Sequence, residues 1–187
     1  MDGGTSLPNV VVVMGVAGAG KTVVGQALSA AIGWPFYEGD AFHPAANIAK
    51  MTRGEGLTDE DRAPWLAALR DLISGVVERG EHAVLACSAL KHSYRNILAS
   101  DAPPAASEGG SNPGMHTHRS SAVRFVYLDV PPEVLKARLE QRRGHFAPPS
   151  LLPSQLEALE EPRDALWVDG TQPPPSIVVS IREALGV

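Results

Sequence analysis

Cysteine is almost missing from this chain. Cys87 stands alone among 187 residues, which excludes an internal disulfide and leaves no metal site to be built from thiolates. Cations are outnumbered, 16 Lys and Arg against 21 Asp and Glu. The resulting charge of −5 disfavours nucleic acid or an anionic membrane as the main partner, so any basic cluster reads as a local site. No apolar run approaches the roughly 20 residues of a membrane span. Met1 to Asn9 also lacks the basic-then-apolar order of a secretory signal. The expectation is a soluble cytoplasmic protein with no nucleic-acid or membrane partner. At 44% hydrophobic content, a single domain over residues 1–187 can bury a sizeable core.

What is present begins at Val10. A β-branched run ends in Gly15, and Gly15, Gly20, Lys21 and Thr22 fit the spacing G-x-x-x-x-G-K-[ST] of a phosphate-binding loop. Glycines at 15, 18 and 20 let the backbone through Val16, Ala17 and Ala19 curl, so that successive N–H groups face inward beside a helix N-terminus. Lys21 is placed to reach the β- and γ-phosphates of a nucleoside triphosphate, and the Thr22 hydroxyl to ligate the accompanying Mg²⁺. A chance glycine-rich turn would not need the flanking context. Here a buried-type strand precedes, and Val23, Val24, Ala27, Leu28, Ala31 and Ile32 follow on one helical face until Gly33.

Downstream, a second strand over Trp34 to Glu38 leads to Gly39-Asp40. At the carboxyl end of a parallel strand Asp40 faces the crevice, as general base, Mg²⁺ ligand or mere turn residue. His43, Asn47 and Lys50 follow at a polar density that a plain connection does not need. Thr58 to Asp61 opens a capped amphipathic helix running to Gly80, with Arg62 in its first turn. Arg62 has an alternative as the ion-pair partner of Asp59 or Asp61. A third strand, Ala83 to Ala86, delivers Ser88, Lys91 and Arg95 as hydrogen-bonding candidates, while Cys87 reads as a small buried residue. Residues 100–121 are rich in Pro, Gly and Ser and read as a mobile surface loop, with His116 and His118 solvated. A fourth strand, Val123 to Leu128, precedes a helix bearing Arg138 and Arg142 on one face, a source of a phosphate clamp or of a salt-bridged surface. Residues 144–153 read as a lid, Gln155 to Leu159 as a short helix, Leu166 to Asp169 as a fifth strand, and Ile177 to Leu185 as the closing helix.

Five strands alternating with helices predict a three-layer α/β P-loop NTPase domain with a parallel sheet. Asn-Lys-x-Asp is absent, as is Asp-x-x-Gly after a strand, and no apolar run ends in an acidic pair. These absences disfavour a GTPase and a motor ATPase, leaving a small-molecule kinase. A nucleotide-binding regulatory module is the alternative from another class, though it would not need a second substrate pocket.

In these blocks the chain resembles the gluconate kinases of the shikimate-kinase-like and adenylate-kinase-like P-loop group. The matching stretches are Gly15 to Thr22; Gly39-Asp40 with His43-Pro44, Asn47 and Lys50-Met51; Gly54 with Leu57-Thr58-Asp59, Asp61-Arg62 and Pro64-Trp65-Leu66; Cys87 to Lys91 with Tyr94-Arg95; Arg138, Arg142 and Gly144-His145-Phe146; and Ser154-Gln155 with Leu159-Glu160. The resemblance implies ATP- and Mg²⁺-dependent phosphorylation of D-gluconate at its 6-hydroxyl, feeding the pentose phosphate pathway. It further implies the sheet order 2-3-1-4-5 and a homodimer. Lys21, Asp40, Arg138 and Arg142 are then catalytic candidates, and residues 15–22 with Gln172 and Pro173 are nucleotide contacts. Asp40, His43, Lys50, Arg62, Ser88, Lys91, Arg95 and His145 are acceptor contacts. Glu38 departs from the aspartate common in relatives at a position that holds Mg²⁺ through water. Another acceptor, such as shikimate, is the alternative among enzymes.

Overall fold

The computed structural model describes residues 7–100, 122–141 and 149–187. Its centre is β1 (Val10–Met14), buried along its whole length. Alternate side chains of a strand leave by opposite faces, and both faces here are covered. Val11 and Val13 pack with Leu28, Leu135 and Ile177, whereas Val10, Val12 and Met14 pack with Trp65, Leu69 and Leu98. That two-sided burial is why the strand is a continuous apolar run rather than an alternating one.

The sheet has the order β2-β3-β1-β4-β5, with β2 (Phe36–Glu38), β3 (Ala83–Ala86), β4 (Val123–Asp129) and β5 (Leu166–Asp169). All four pairings are parallel. This is the predicted architecture and strand order. One face carries α1 (Lys21–Ile32), α5 (Pro132–Gln141) and α7 (Pro174–Leu185). The other carries α3 (Asp59–Glu78) and α4 (His92–Ala99). The remaining helices are α2 (Ala45–Thr52) and α6 (Leu152–Ala158).

Local chemistry sets most boundaries. Gly33 ends α1 in the left-handed conformation at φ 75°, its N–H donating to the Ser29 carbonyl. Thr58 opens α3 through a reciprocal capping box with Asp61. Three boundaries differ from expectation. The pairing of β2 begins at Phe36 opposite Val84, because Trp34 turns away to stack on His82 at 4.4 Å. Helix α7 starts at Pro174, earlier than Ile177, since prolines are tolerated in a first turn where their missing N–H has no partner to lose. Helix α6 starts at Leu152 for the same reason, with Pro153 in its first turn, so only residues 149–153 of the proposed lid are described and these are helical. Helix α2 is an addition to the predicted elements: it is only eight residues long and buries Asn47 and Met51, four apart on one face. Residues 101–121 of the expected loop, and 144–148 of the lid, lie outside the described residues.

Candidate active site

The carboxyl ends of β1, β2 and β3 open on one cleft of about 210 Å³. At one end sits the phosphate-binding loop. Gly15, Gly18 and Gly20 all have positive φ, which side chains with a Cβ rarely adopt. At Gly18 a Cβ would also lie 3.1 Å from the Leu135 carbonyl and from Leu139. The curl therefore depends on glycine at this position. Gly15, Val16 and Ala19 form the rear of the loop, with Val16 and Ala19 in the core; Ala17, Gly18, Gly20, Lys21 and Thr22 face the cleft. Lys21 Nζ donates to the Val16 carbonyl at 3.1 Å, arching its side chain back over the loop.

Two further groups complete this end. Thr22 Oγ1 donates to Glu38 Oε2 at 2.6 Å, so the hydroxyl and a carboxylate from the next strand stand together. A hydroxyl, a carboxylate and the nearby Asp40 are hard oxygen donors, which suits Mg²⁺ that keeps most of its waters and uses one or two carboxylates beside phosphate. Glu38, at the position where the resemblance leads one to expect an aspartate, brings its carboxylate onto the Thr22 hydroxyl. Arg138 reaches from α5 to the Ala19 carbonyl at 3.3 Å, the Gly18 carbonyl at 3.5 Å and the Gly170 carbonyl at 2.9 Å. It thereby bridges the phosphate loop and the turn after β5.

The other end is built by a short 3-10 turn, Gly39–Phe42, that follows β2. Gly39 packs so closely on β3 that a Cβ would fall 2.4 Å from the Ala86 carbonyl. This contact puts Asp40 into the cleft. Trp65 of α3 donates from Nε1 to the Gly39 carbonyl at 2.8 Å and stacks on His43 at 4.4 Å. The tryptophan read as core is thus also a wall of the site. Burial holds the His43 pKa below its ordinary value, Asp40 opposing the shift and Arg62 adding to it. Its ring is neutral at pH 7. Arg62 NH1 donates to the Leu57 carbonyl at 2.6 Å and lies 3.8 Å from Asp59, which orients the guanidinium while it still lines the cleft. Ser88 lines the same cleft from β3.

Several candidate residues are placed elsewhere. Lys50 is held by both oxygens of Asp61 at 2.8 Å, and Lys91 by both oxygens of Asp59 at 2.8 Å. Lys91 borders an adjoining groove with Arg62 and Ser154. Tyr94 joins that cluster through a hydrogen bond to Asp59. Arg95 is buried at 3% exposure and donates from NH1 to the Ala89 and Leu90 carbonyls at 2.9 and 3.0 Å. It shapes the chain behind Ser88 instead of facing the cleft, a correction to the placement expected from its spacing. Gln172 Nε2 donates to Asp169 at 2.8 Å, and Pro173 caps α7; neither lines the cleft. Arg142 and His145 lie outside the described residues. Cys87 is fully buried, its thiol pushed up to about 12 by desolvation, so it is inert as a nucleophile.

Two contributors lie beyond the predicted contacts: Glu38, through its bond with Thr22, and Gln155. Gln155 Oε1 accepts a hydrogen bond from the Ala17 N–H at 2.7 Å, across a separation no local pattern encodes.

Comparison with known proteins adds to this geometry. A family model described as an AAA domain matches residues 10–162. The chain is 48% identical over 157 residues to the gluconokinase of Gluconobacter oxydans, covering 84% of this chain and 78% of that protein. A solved sugar kinase of Janibacter sp. HTCC2649 is 40% identical with a TM-score of 0.80, over 96% of this chain and 95% of that one. A solved gluconokinase of Sinorhizobium meliloti is 43% identical with a TM-score of 0.75, over 96% of this chain and 93% of that one.

Proposed function

The chain belongs to the gluconokinase family, and on that premise we propose that it phosphorylates D-gluconate at the 6-hydroxyl with ATP, yielding 6-phospho-D-gluconate for the pentose phosphate pathway. One observation carries the reading: a single cleft joins the phosphate loop to Asp40, His43, Arg62 and Ser88. A regulatory switch would need only the first of these.

When bound, ATP with Mg²⁺ supplies the transferable phosphoryl group and neutralises part of its charge. Lys21 and the inward N–H groups of the loop hold the phosphates. Thr22, with Glu38 behind it, would hold the metal. Arg138, already spanning two carbonyls of the loop, sets its guanidinium where charge spreads over the transferring oxygens. Asp40 takes the proton from the acceptor hydroxyl as that oxygen bonds to the γ-phosphorus and the bond from that phosphorus to the departing ADP oxygen breaks. Arg62 offers a fork-shaped donor to the gluconate carboxylate, and neutral His43 hydrogen-bonds sugar hydroxyls without competing for that carboxylate.

A coupled assay of ADP release with gluconate, other sugar acids, glycerate and shikimate tests the proposal, with NMR of the product to locate the phosphate. Release should require gluconate and vanish in Lys21→Ala. Asp40→Asn should lower kcat by about 10² to 10⁴ with both KM values little changed. Release with shikimate but not gluconate, or release indifferent to every acceptor, overturns the reading.

A further inference from the structure

The block Ser154-Gln155 with Leu159-Glu160 spans the body of α6 and the two residues that follow it. In the fold it is pinned at both ends. Gln155 Oε1 accepts from the Ala17 N–H at 2.7 Å. Five residues on, Glu160 Oε2 accepts from the His92 N–H at 2.6 Å, and the Glu160 N–H donates to the Leu90 carbonyl at 2.9 Å. Leu152, in the first turn of α6, is buried in the core beside α5 and α1. The helix is therefore fixed between the phosphate loop and the first turn of α4.

That fixing determines the side chain's polarity. A backbone N–H only donates, so the oxygen of the Gln155 amide must face Ala17 and its NH₂ must face the other way. Gln155 lines the same cleft as Gly18, Gly20, Lys21 and Arg138. Among the described residues, no hydrogen bond from that NH₂ to the protein is formed. A neutral amide with two donors, oriented by the loop that cradles phosphate, is suited to a phosphate oxygen, and it adds no charge to a site already holding Lys21 and Arg138.

We propose that Gln155 is a phosphate-contacting residue of this enzyme: its NH₂ donates to the terminal phosphate of the bound nucleoside triphosphate, while its oxygen stays on Ala17. The proposal rests on reading the cleft as a kinase site. It differs from a purely structural tether in one respect. A tether supports the loop for diphosphate and triphosphate alike, whereas a terminal-phosphate contact favours the triphosphate alone.

The test is calorimetric binding of ADP and of a non-hydrolysable ATP analogue, both with Mg²⁺, to the full chain and to Gln155→Glu and Gln155→Met. Gln155→Glu retains an acceptor for Ala17 but loses the donors; Gln155→Met is neutral and has neither. The preference for analogue over ADP should fall by about tenfold or more in both variants, the expected scale for a hydrogen bond to a charged group. Gln155→Glu should melt close to the wild type. A wild-type preference retained in Gln155→Met, whatever its effect on absolute affinity, overturns the proposal. If Gln155→Glu proves unfolded, Gln155→Met decides alone. A chain that binds the analogue yet does not phosphorylate gluconate would overturn the acceptor assignment and leave this readout standing.

Discussion

At the scale of the residue, Arg95 shows how little a side chain's type says about its task. A guanidinium one helical turn beyond Lys91, near the end of β3, has the chemistry to clamp a carboxylate. Burial instead turns it onto the Ala89 and Leu90 carbonyls, next to Ala89, a non-glycine residue at φ 44°. Its guanidinium compensates two carbonyls of a strained stretch that presents Ser88 to the cleft. Arg95→Ala should therefore act first on stability. Two carbonyls left without a donor and the lost packing together cost on the order of 2 kcal/mol, which for a chain of this size lowers the melting temperature by about 5 °C. Calorimetry checks this. An unchanged melting temperature with a tenfold higher KM for gluconate would return Arg95 to the substrate.

At the scale of the element, α3 serves both fold and site from its first turn. The Thr58 side chain accepts from the Asp61 N–H at 3.2 Å, and Asp61 accepts from the Thr58 N–H at 2.9 Å. The same Asp61 carboxylate takes Lys50, and the Asp61 carbonyl takes Asn47 Nδ2 at 2.7 Å. Helix α2 is thus attached to the cap of α3. One turn along, Arg62 and Trp65 enter the cleft. Thr58→Ala removes one bond of the box and should cost about 1 kcal/mol, read by urea denaturation. Because Arg62 hangs on this turn, the KM for gluconate should rise more than the KM for ATP. Equal rises in both would detach the cap from the acceptor side.

At the scale of the whole molecule, the parallel sheet gathers the ends of β1, β2 and β3 at one edge, and its titrating groups make stability depend on pH. The neutral His43 ring is favoured by the fold, whereas in the unfolded chain the ring protonates near its ordinary value of about 6.5. Its contribution is present in full above that pH and declines as pH falls toward the lowered folded value. The carboxylates of Asp59, Asp61 and Asp169 are held low by hydrogen bonds, chiefly from Lys91, Lys50 and Thr171 respectively. Their contribution is present above the ordinary carboxylate range near 4 and is lost as pH falls through the folded values. Stability measured by denaturant should decline as pH falls below about 6.5 in the wild type and less steeply in His43→Gln. Below about pH 4 both should decline together. Parallel curves at every pH above the carboxylate range near 4 would show that His43 titrates alike in the folded and unfolded chains.

Features carried by neighbours in the chain were legible from the residues themselves: the β1 run and its glycine loop, the Gly33 stop, the Thr58 cap, the strands Ala83–Ala86 and Leu166–Asp169. Backbone preference and hydrophobic period act over a few residues, so a few residues suffice to read them. The set Lys21, Thr22, Asp40, His43, Arg62, Ser88 and Arg138 was legible too, and the fold brings it into one cleft. Tertiary structure alone decided which of several similar cations face that cleft. Lys50, Lys91 and Arg95 resemble Arg62 in charge and reach, but Asp61, Asp59 and two buried carbonyls hold them elsewhere. It also brought Glu38 to Thr22 and Gln155 to Ala17. The physical reason is common to all five: a long polar side chain takes the partner that the packing of distant elements puts within about 3 Å, and that choice has no local signature.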